Sequence, residues 1–344
     1  MSPINEETQA KLDSLQYSLE NLQDEVLLTN IKDEVEEIQT TLATLPSQLQ
    51  ELRTRGYVFK SYLEDKIKAL DQEWEEIDNE IKLSIRRRVR ELEQELDEAE
   101  DSLSRAMSGH TSLVNKAEST IESLERKAGT AASAIRSQYD SLKANVNNIK
   151  NNANQAQRLL DDIDEACFQL YPAEDPVASC TAQFMETKKE GPKGILYLTD
   201  ERILFEQKEK VAKKKVLFIA TEKEEIQELI FDVPVGQIEK IETSQKGFLG
   251  GKEMLELRFS PEVNMNSALL RLRGADNDRW QGLIGRVKSG EINRERTEDK
   301  DEEAIEEARS APTKCPSCGA DLDVEIVRGM REINCEFCGS IIRL

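Results

Sequence analysis

The chain has 344 residues, enough for two or three domains, with 47 basic and 68 acidic side chains and a formal net charge of −21. Aromatic residues make up 5% of it, too few for one large core, while 38% apolar residues are too many for a disordered chain. The acidity argues against nucleic-acid binding, which needs a basic surface. No apolar run reaches the roughly 18 residues of a membrane-spanning helix, and the acidic start predicts no secretory signal.

Charge and cysteine content divide the chain further. The net charge is −14 over residues 1–170, −1 over 171–290, −5 over 291–312 and −1 over 313–344. These steps predict three modules and one acidic linker, at 291–312. The six cysteines, with no signal predicted, indicate a reducing, cytoplasmic setting in which they bind metal rather than form disulfides. A single histidine disfavours histidine-based catalysis.

Residues 1–170 carry apolar residues at steps of three and four, the pattern of a long α-helical coiled coil. The seam includes Leu12, Leu15, Leu19, Leu22, Leu63, Ile67, Leu70, Leu113, Ala117, Ile121 and Leu124. Pro46 removes a backbone donor and Gly56 weakens a helix, so we expect a bend or hairpin between residues 44 and 58.

The helical arm after that bend could run unbroken from about residue 58 to 170, roughly 170 Å at ~1.5 Å per residue. The first arm is too short to cover it, which predicts a homo-oligomer formed through the coiled coil. His110 falls on the seam in this interpretation. It is read as a polar seam residue that helps to fix register, or alternatively as a metal ligand or proton switch.

Residues 171–290 change to a β pattern. Gly194–Phe205 reads as two strands about a turn at Asp200 and Glu201. Further strands are predicted over Val216–Ala220, Glu228–Asp232, Gln237–Thr243, Met254–Phe259 and Ala268–Arg273, followed by a helix over Ala275–Lys288. Many short strands and one helix favour a small barrel or sandwich that the helix caps.

The Gly194–Phe205 segment, GILYLTDERILF, resembles the G-x-L-Y-L-T-x-x-R-I-x-F strand pair of GRAM domains. Val233–Ile241, VPVGQIEKI, is similar to the I-P-x-x-x-I-x-x-I strand that follows it there. The resemblance covers about residues 178–290 and implies a GRAM/PH-like module that binds membrane lipids or protein partners without catalysis. It implies no particular lipid ligands, because no fixed ligand motif can be matched.

Two basic features bear on the choice between lipid and protein. Lysines cluster between two predicted strands, at Lys208, Lys210, Lys213, Lys214 and Lys215. They contact an anionic membrane or, alternatively, keep a β edge soluble. A glycine-rich turn places Phe248 and Leu249 between Lys246 and Lys252. It is an interfacial wedge or, alternatively, a loop folded over the barrel mouth.

The C-terminal 32 residues hold two C-x-x-C pairs separated by sixteen residues: Cys315, Cys318, Cys335 and Cys338. The spacing resembles that of zinc ribbons and predicts one structural Zn²⁺ per chain, the alternatives being an iron–sulfur or redox site. Four thiolates close the coordination shell, so catalytic zinc is not expected. Val324, Ile326 and Ile333 alternate around residues 328–330, which predicts a β-hairpin between the pairs.

The predicted fold class is therefore α+β and multidomain: a coiled coil at 1–170, a GRAM/PH-like module at 171–290 and a zinc ribbon at 313–344. The expected function is a non-catalytic scaffold or adaptor that self-associates and presents two modules to protein partners. The alternative is a peripheral membrane protein that tethers or shapes bilayers through the PH-like module. We expect no enzyme and no nucleic-acid partner.

Overall fold

The computed structural model describes residues 6–185, 191–216, 219–246 and 251–344, with the backbone alone for 211–216, 219–224 and 246. The chain divides into two compact units. One takes residues up to Leu49 together with Leu63–Asn152, and the other takes Gln50–Tyr62 together with Ala153–Leu344. The unit limits fall inside helices, whereas the domain limits that we predicted at 170, 290 and 312 stay a prediction.

Five helices form the N-terminal region: α1 (Glu6–Val26), α2 (Thr29–Thr54), α3 (Tyr62–Ala106), α4 (Thr111–Arg136) and α5 (Asp140–Asp164). Their apolar residues at steps of three and four are buried, as amphipathic helices require. In the first unit, α1 and α2 run parallel to α4 and α5. Lys11 Nζ lies 2.6 Å from Glu118 Oε2, and Arg136 Nη2 lies 2.7 Å from Glu34 Oε1.

The long second arm is broken, which corrects the prediction of one helix from 58 to 170. Helix α3 ends at Ala106, and Gly109 takes a φ of 77° and donates its amide to the Ala106 carbonyl. Lys127 of α4 then pairs with Glu95 of α3, so the two helices form an antiparallel hairpin. His110 caps the start of α4 and is exposed, so it does not lie on a buried seam.

The α2–α3 turn begins at Gly56, not at Pro46. Helix α2 continues through Pro46 because the flanking leucines, at positions 42, 45 and 49, are all buried. Their burial outweighs the roughly 3 kcal/mol that a proline costs in a helix. Gly56, with a φ of 91°, donates to the Arg53 carbonyl, and Tyr57 donates to the Leu52 carbonyl. This bonding is a Schellman motif, which ends the helix.

Seven strands form one antiparallel sheet in the second unit, in the order β4-β3-β2-β1-β7-β6-β5. They are β1 (Pro176–Phe184), β2 (Lys193–Thr199), β3 (Arg202–Val216), β4 (Ile219–Pro234), β5 (Ile238–Lys246), β6 (Lys252–Phe259) and β7 (Ser267–Leu272). Helix α6 (Asn277–Lys288) buries Trp280, Ile284 and Val287. A sheet of this kind followed by one helix is consistent with a PH-like module.

Two strand predictions need correction. The sequence analysis missed β1, whose residues PVASCTAQF have few β-branched side chains. The predicted strand Val216–Ala220 is not one element, because β3 runs to Val216 and β4 begins at Ile219. The β3–β4 register explains the longer strands, since it places Lys210 opposite Glu225. Opposite charges across a strand pair stabilise it.

Gly194 explains the first position of the GRAM-like motif. It pairs with Gln207 across β2 and β3, and a Cβ placed on it would lie 1.8 Å from the Glu206 carbonyl oxygen. Only glycine permits so close an approach of two backbones.

The rest of the chain is a 3₁₀ turn (Glu291–Glu295), helix α7 (Glu302–Ser310) and two three-residue strands, β8 (Glu332–Asn334) and β9 (Ile341–Arg343). The predicted acidic linker is thus partly helical. None of the helices in the described ranges combines the length and apolarity needed to cross a membrane.

We expect Leu124→Ala, in α4, to lower the free energy of unfolding by about 2–5 kcal/mol, because the leucine is 0% exposed and leaves a cavity. Leu83→Ala, in α3, is the matched control; Leu83 is 63% exposed, and its change should stay within about 0.5 kcal/mol. Urea unfolding followed by far-UV circular dichroism measures both. Equal losses would contradict the buried seam.

Glu34 should make the helical unit acid-sensitive. Hydrogen bonds from Arg136, and further ones from Lys143 and Tyr139, lower its pKa from 4.5 to about 2. A carboxyl with a lowered pKa stabilises the fold above its unfolded pKa and loses that contribution as the pH falls. We expect unfolding free energy to fall more between pH 4.5 and 2 in the native chain than in Glu34→Gln. The exposed neighbour variant Glu37→Gln should behave as the native chain, and three identical profiles would contradict the assignment.

Candidate metal centre and the ion-pair junction beside it

Four cysteine sulfurs converge at the C-terminal end of the chain. Those of Cys315, Cys318, Cys335 and Cys338 all lie within 4.8 Å of one another. Sγ of Cys315 is 3.6 Å from that of Cys338, and Sγ of Cys318 is 3.7 Å from that of Cys335. A tetrahedral tetrathiolate shell with metal–sulfur bonds of about 2.3 Å sets its sulfurs about 3.8 Å apart. The four side chains therefore fit a metal ion.

The two cysteine pairs lie on turns with the same backbone bonding. The amide of Cys315 donates to the carbonyl five residues further on at 2.8 Å, and that of Cys335 does so at 2.9 Å. Gly319 and Gly339 follow the pairs with φ angles of 76° and 71°, and each donates its amide to the carbonyl of the first cysteine at 2.8 Å. Glycine adopts these positive φ angles without the strain that a side chain would add, which favours it at this position of each turn.

Local hydrogen bonds favour the thiolate form of two of the ligands. Ser340 Oγ lies 3.2 Å from Cys338 Sγ, and this contact lowers the pKa of Cys338 to about 6. The backbone N–H of Cys318 lowers the pKa of Cys315. The thiolate is the form that binds metal, and Cys315 and Cys338 reach it more readily than Cys318, whose pKa is raised, in spite of the Ala320 amide, by its contacts with the neighbouring thiols.

The small core beside the cysteines differs from the predicted one. Ile333 of β8 pairs with Ile342 of β9, and both are buried with Cys315 and Cys335. The partly buried residues around them are Ala320, Leu322, Val324, Ile326 and Met330. The hairpin predicted between the cysteine pairs is wrong, because β8 pairs with the strand after it rather than with residues 322–327. Those residues contribute apolar side chains to the core and form no ladder.

Arg328 anchors this segment to the sheet module. It lies in the turn between the two cysteine pairs, and its backbone amide donates to the Leu170 carbonyl at 2.7 Å. Its guanidinium donates to Asp175 Oδ1 at 2.8 Å and to the Glu174 carbonyl. Charged donors make these bonds stronger than neutral ones.

Asp175 belongs to a larger cluster. Arg296 bonds both Asp175 and Asp200, the latter at 3.1 Å, and Lys300 Nζ lies 2.9 Å from Asp200 Oδ2. The Asp175 amide donates to Asp200 Oδ1 at 2.8 Å. Burial raises the pKa of Asp200. We call Asp175, Asp200, Arg296, Lys300 and Arg328 the ion-pair junction.

A second ion pair, between Arg202 and Glu174, is buried more deeply than the ion-pair junction. Arg202 donates from Nε to Glu174 Oε1 at 2.8 Å and also bonds Asp232, and neither Glu174 nor Arg202 is more than 4% exposed. Thr199 Oγ1 donates to the same Glu174 oxygen at 2.6 Å. The Arg202 guanidinium stacks on the Tyr171 ring, with its Cζ 3.8 Å from the ring centroid. The T-x-x-R part of the GRAM-like motif is thus structural here.

Sequence reasoning missed both clusters. It assigned Asp200 only to a turn, and it gave no role to Arg296 or Arg328. The one available signal was the presence of four cations, Arg294, Arg296, Lys300 and Arg309, within an acidic stretch, and the sequence does not distinguish Arg296 and Lys300 among them. Their carboxylate partners lie about a hundred residues away along the chain, so no local pattern reveals them.

The predicted basic contacts are placed as follows. Lys208 Nζ is 2.7 Å from Glu165 Oε2, and Lys210 Nζ is 3.8 Å from Glu225 Oε2. These lysines, with Lys213–Lys215, lie on β3 rather than between strands, because β3 extends to pair with the glutamate-rich β4. For Lys213–Lys215 the backbone alone is described.

The predicted wedge lies largely outside the described residues. Phe248 and Leu249 fall within 247–250, which the structure does not describe, and of Lys246 only the backbone is described. Lys252 begins β6, is exposed and stands opposite Lys246 in the register. The wedge therefore stays a prediction.

No protein-family model matches the chain, and no curated protein matches it. Among solved structures, the Vps36 N-terminal PH domain aligns at 16% identity and a TM-score of 0.24, over 35% of this chain and 83% of that one. The Slm1 PH domain in complex with inositol 4-phosphate aligns at 13% and 0.21, over 33% and 95%. The DH/PH domain of human ARHGEF11, from a complex with human RhoA and its inhibitor, aligns at 13% and 0.26, over 83% and 93%.

We expect Arg202→Met to lower the unfolding free energy by about 3–5 kcal/mol, because it leaves Glu174 buried without its cation. Arg258→Met, in the same sheet, removes a half-exposed pair with Glu242 and should cost at most about 1 kcal/mol. Denaturant unfolding reports both through Trp280 fluorescence, in a Trp74→Phe background. A small, equal effect would contradict the buried pair.

Proposed function

We propose that the chain is a non-catalytic adaptor, in which a helical region supports a PH-like module and a zinc-braced ribbon that together bind a protein partner. One observation supports this most directly. Arg328 bonds the ribbon to the module at one end of β8, whereas Phe337, beyond the other end, is 77% exposed. Ile341 on β9 is 62% exposed. Exposed apolar side chains on an anchored body are typical of a contact surface.

Zinc is the metal that we propose for the four cysteines. Tetrahedral tetrathiolate sites are typical of structural zinc, and a closed shell leaves no position for substrate or water. Zinc would supply stability that 32 residues with two three-residue strands cannot gain from apolar burial alone.

One equivalent of zinc should co-purify per chain, and Cys335→Ser should abolish it and expose the C-terminus to protease. Cys167→Ser, which replaces an exposed cysteine outside the cluster, is the matched control and should retain the metal. Metal analysis of full-length protein decides this, and iron in place of zinc would contradict the assignment.

Partner binding through the ribbon is tested by Phe337→Ser. Ser317 holds the equivalent position in the first cysteine turn, so a serine is compatible with metal binding. We expect chemical crosslinking and capture from native lysate, with membranes retained, to lose partners at least several-fold for Phe337→Ser and to keep them for Glu336→Ser. Metal content should stay unchanged in both. Equal capture by all three proteins would contradict a role for this surface.

Self-association stays a prediction, and its original reason is weaker. The reversals after α2 and after α3 supply covering helices from the same chain, and Leu12, Ala117 and Leu124 are buried without a second copy. Light scattering on the full chain distinguishes one copy, at 39.1 kDa, from two or more.

The alternative is a peripheral membrane protein, and Lys252, which is exposed and follows Phe248 and Leu249 closely in sequence, favours it. We expect the full chain to float with anionic vesicles at low salt and less at high salt, where charges are screened. Lys252→Glu should reduce flotation, whereas Lys240→Glu, an exposed lysine paired with Glu242, should not. No flotation of the native chain at low salt would leave the adaptor alone.

A further inference from the structure

The position of Arg328 depends on how the two ends of the segment that carries it are held. Residues 322–331 contribute no strand to a ladder, and they connect Cys318 to Cys335. Gly329, with a φ of 77°, and a bond from the Met330 amide to the Val327 carbonyl shape the turn. A ring closed through the four sulfurs would therefore limit where Arg328 can lie.

Arg328 also supplies the second of two cations that contact a buried carboxylate, that of Asp175. The Asp175 side chain is 8% exposed and receives Arg328 and Arg296, and the Arg296 side chain is 7% exposed. A carboxylate so little hydrated loses stability when one of its two cations leaves. Whether the cysteine-bearing segment keeps Arg328 on Asp175 therefore affects how firmly Asp175 holds Arg296, and with it the segment that follows helix α6.

The same contacts connect two distant parts of the sheet module. The Asp175 amide donates to Asp200 Oδ1, and the Asp200 amide donates to the Asp175 carbonyl at 3.0 Å. Arg296 spans both side chains, and its guanidinium lies 5.1 Å from the Phe59 ring centroid. A change at Asp175 therefore alters the contacts of the β2–β3 turn, through Asp200, and of the segment that carries Arg296.

We propose that the cysteine site and the ion-pair junction are coupled. Metal binding holds the ribbon against the sheet module, and metal loss releases it. The coupling runs through Arg328 and Asp175. Because coupling between two equilibria is reciprocal, the clasped junction must also tighten metal binding by the same factor. A ribbon merely tethered to the module would show neither effect.

The test measures zinc affinity of the full chain by competition with a chromophoric chelator. Arg328→Gln should bind zinc roughly five- to fifty-fold more weakly than the native chain. Arg331→Gln is the matched control; Arg331 is exposed, lies three residues from Arg328 and is nearer to Cys335 in sequence than Arg328 is. Asp175→Asn should weaken zinc binding too, and adding Arg328→Gln to it should have little further effect.

Hydrogen–deuterium exchange gives a second readout that does not depend on any variant. Removing zinc with a chelator should speed exchange at the Asp175 and Asp200 amides, while amides in the middle of β2 stay protected. Arg328→Gln loaded with zinc should show part of the same increase. Equal zinc affinity for all variants, or unchanged exchange at Asp175 and Asp200 after chelation, would overturn the coupling.

Discussion

The second unit depends on the neutralisation of two buried carboxylates, those of Asp175 and Asp200. Both carboxylates are buried, one just before β1 and one in the β2–β3 turn. The Asp175 amide donates to the Asp200 carboxylate, and the Asp200 amide donates to the Asp175 backbone carbonyl. Buried carboxylates need cations within reach, because desolvation otherwise favours their neutral form. The cations come from outside the sheet: Arg296 and Lys300 from the tail and Arg328 from the ribbon. Segments with few apolar residues of their own are thereby fixed against the module by charge rather than by a shared apolar core.

The N-terminal helices meet a different requirement, because each narrow apolar stripe has to be covered by another helix. Two short turns answer it within one chain, at Gly56 and at Gly109, and both rely on positive φ angles that glycine adopts without strain. Neither glycine differs in sequence terms from Gly129, which lies inside α4 with an ordinary helical backbone. A glycine ends a helix only where the following residues can complete a cap, as Tyr57 does after Gly56.

This contrast shows what sequence could and could not predict. The β2–β3 turn and the four cysteines follow from local spacing, so their positions were predicted to within a residue or two, although β3 extends eleven residues beyond the predicted Phe205. The predicted range for the bend, 44–58, contains the observed turn at Gly56, but Pro46 does not end α2 because burial of the neighbouring leucines overrides its local preference. Strand β1 was not predicted because its pairing with β2 and β7, rather than its composition, makes it a strand. Arg328 was beyond reach for the same reason, since its partner Asp175 lies 153 residues earlier in the chain.

The edges of the sheet limit how the PH-like module can bind. Strand β4 is one edge of the seven-stranded sheet, and its sequence, IATEKEEIQELIFDVP, is dominated by glutamates. Charged edge strands resist pairing with further strands. The outer part of β3, beyond its last pairing with β2 at Gln207, carries the lysines, so two copies meeting β4 to β4 or β3 to β3 would bring like charges together. Strand addition is therefore disfavoured at this edge of the sheet. The exposed apolar side chains of Phe337 and Ile341 lie elsewhere, in the segment that carries the four cysteines.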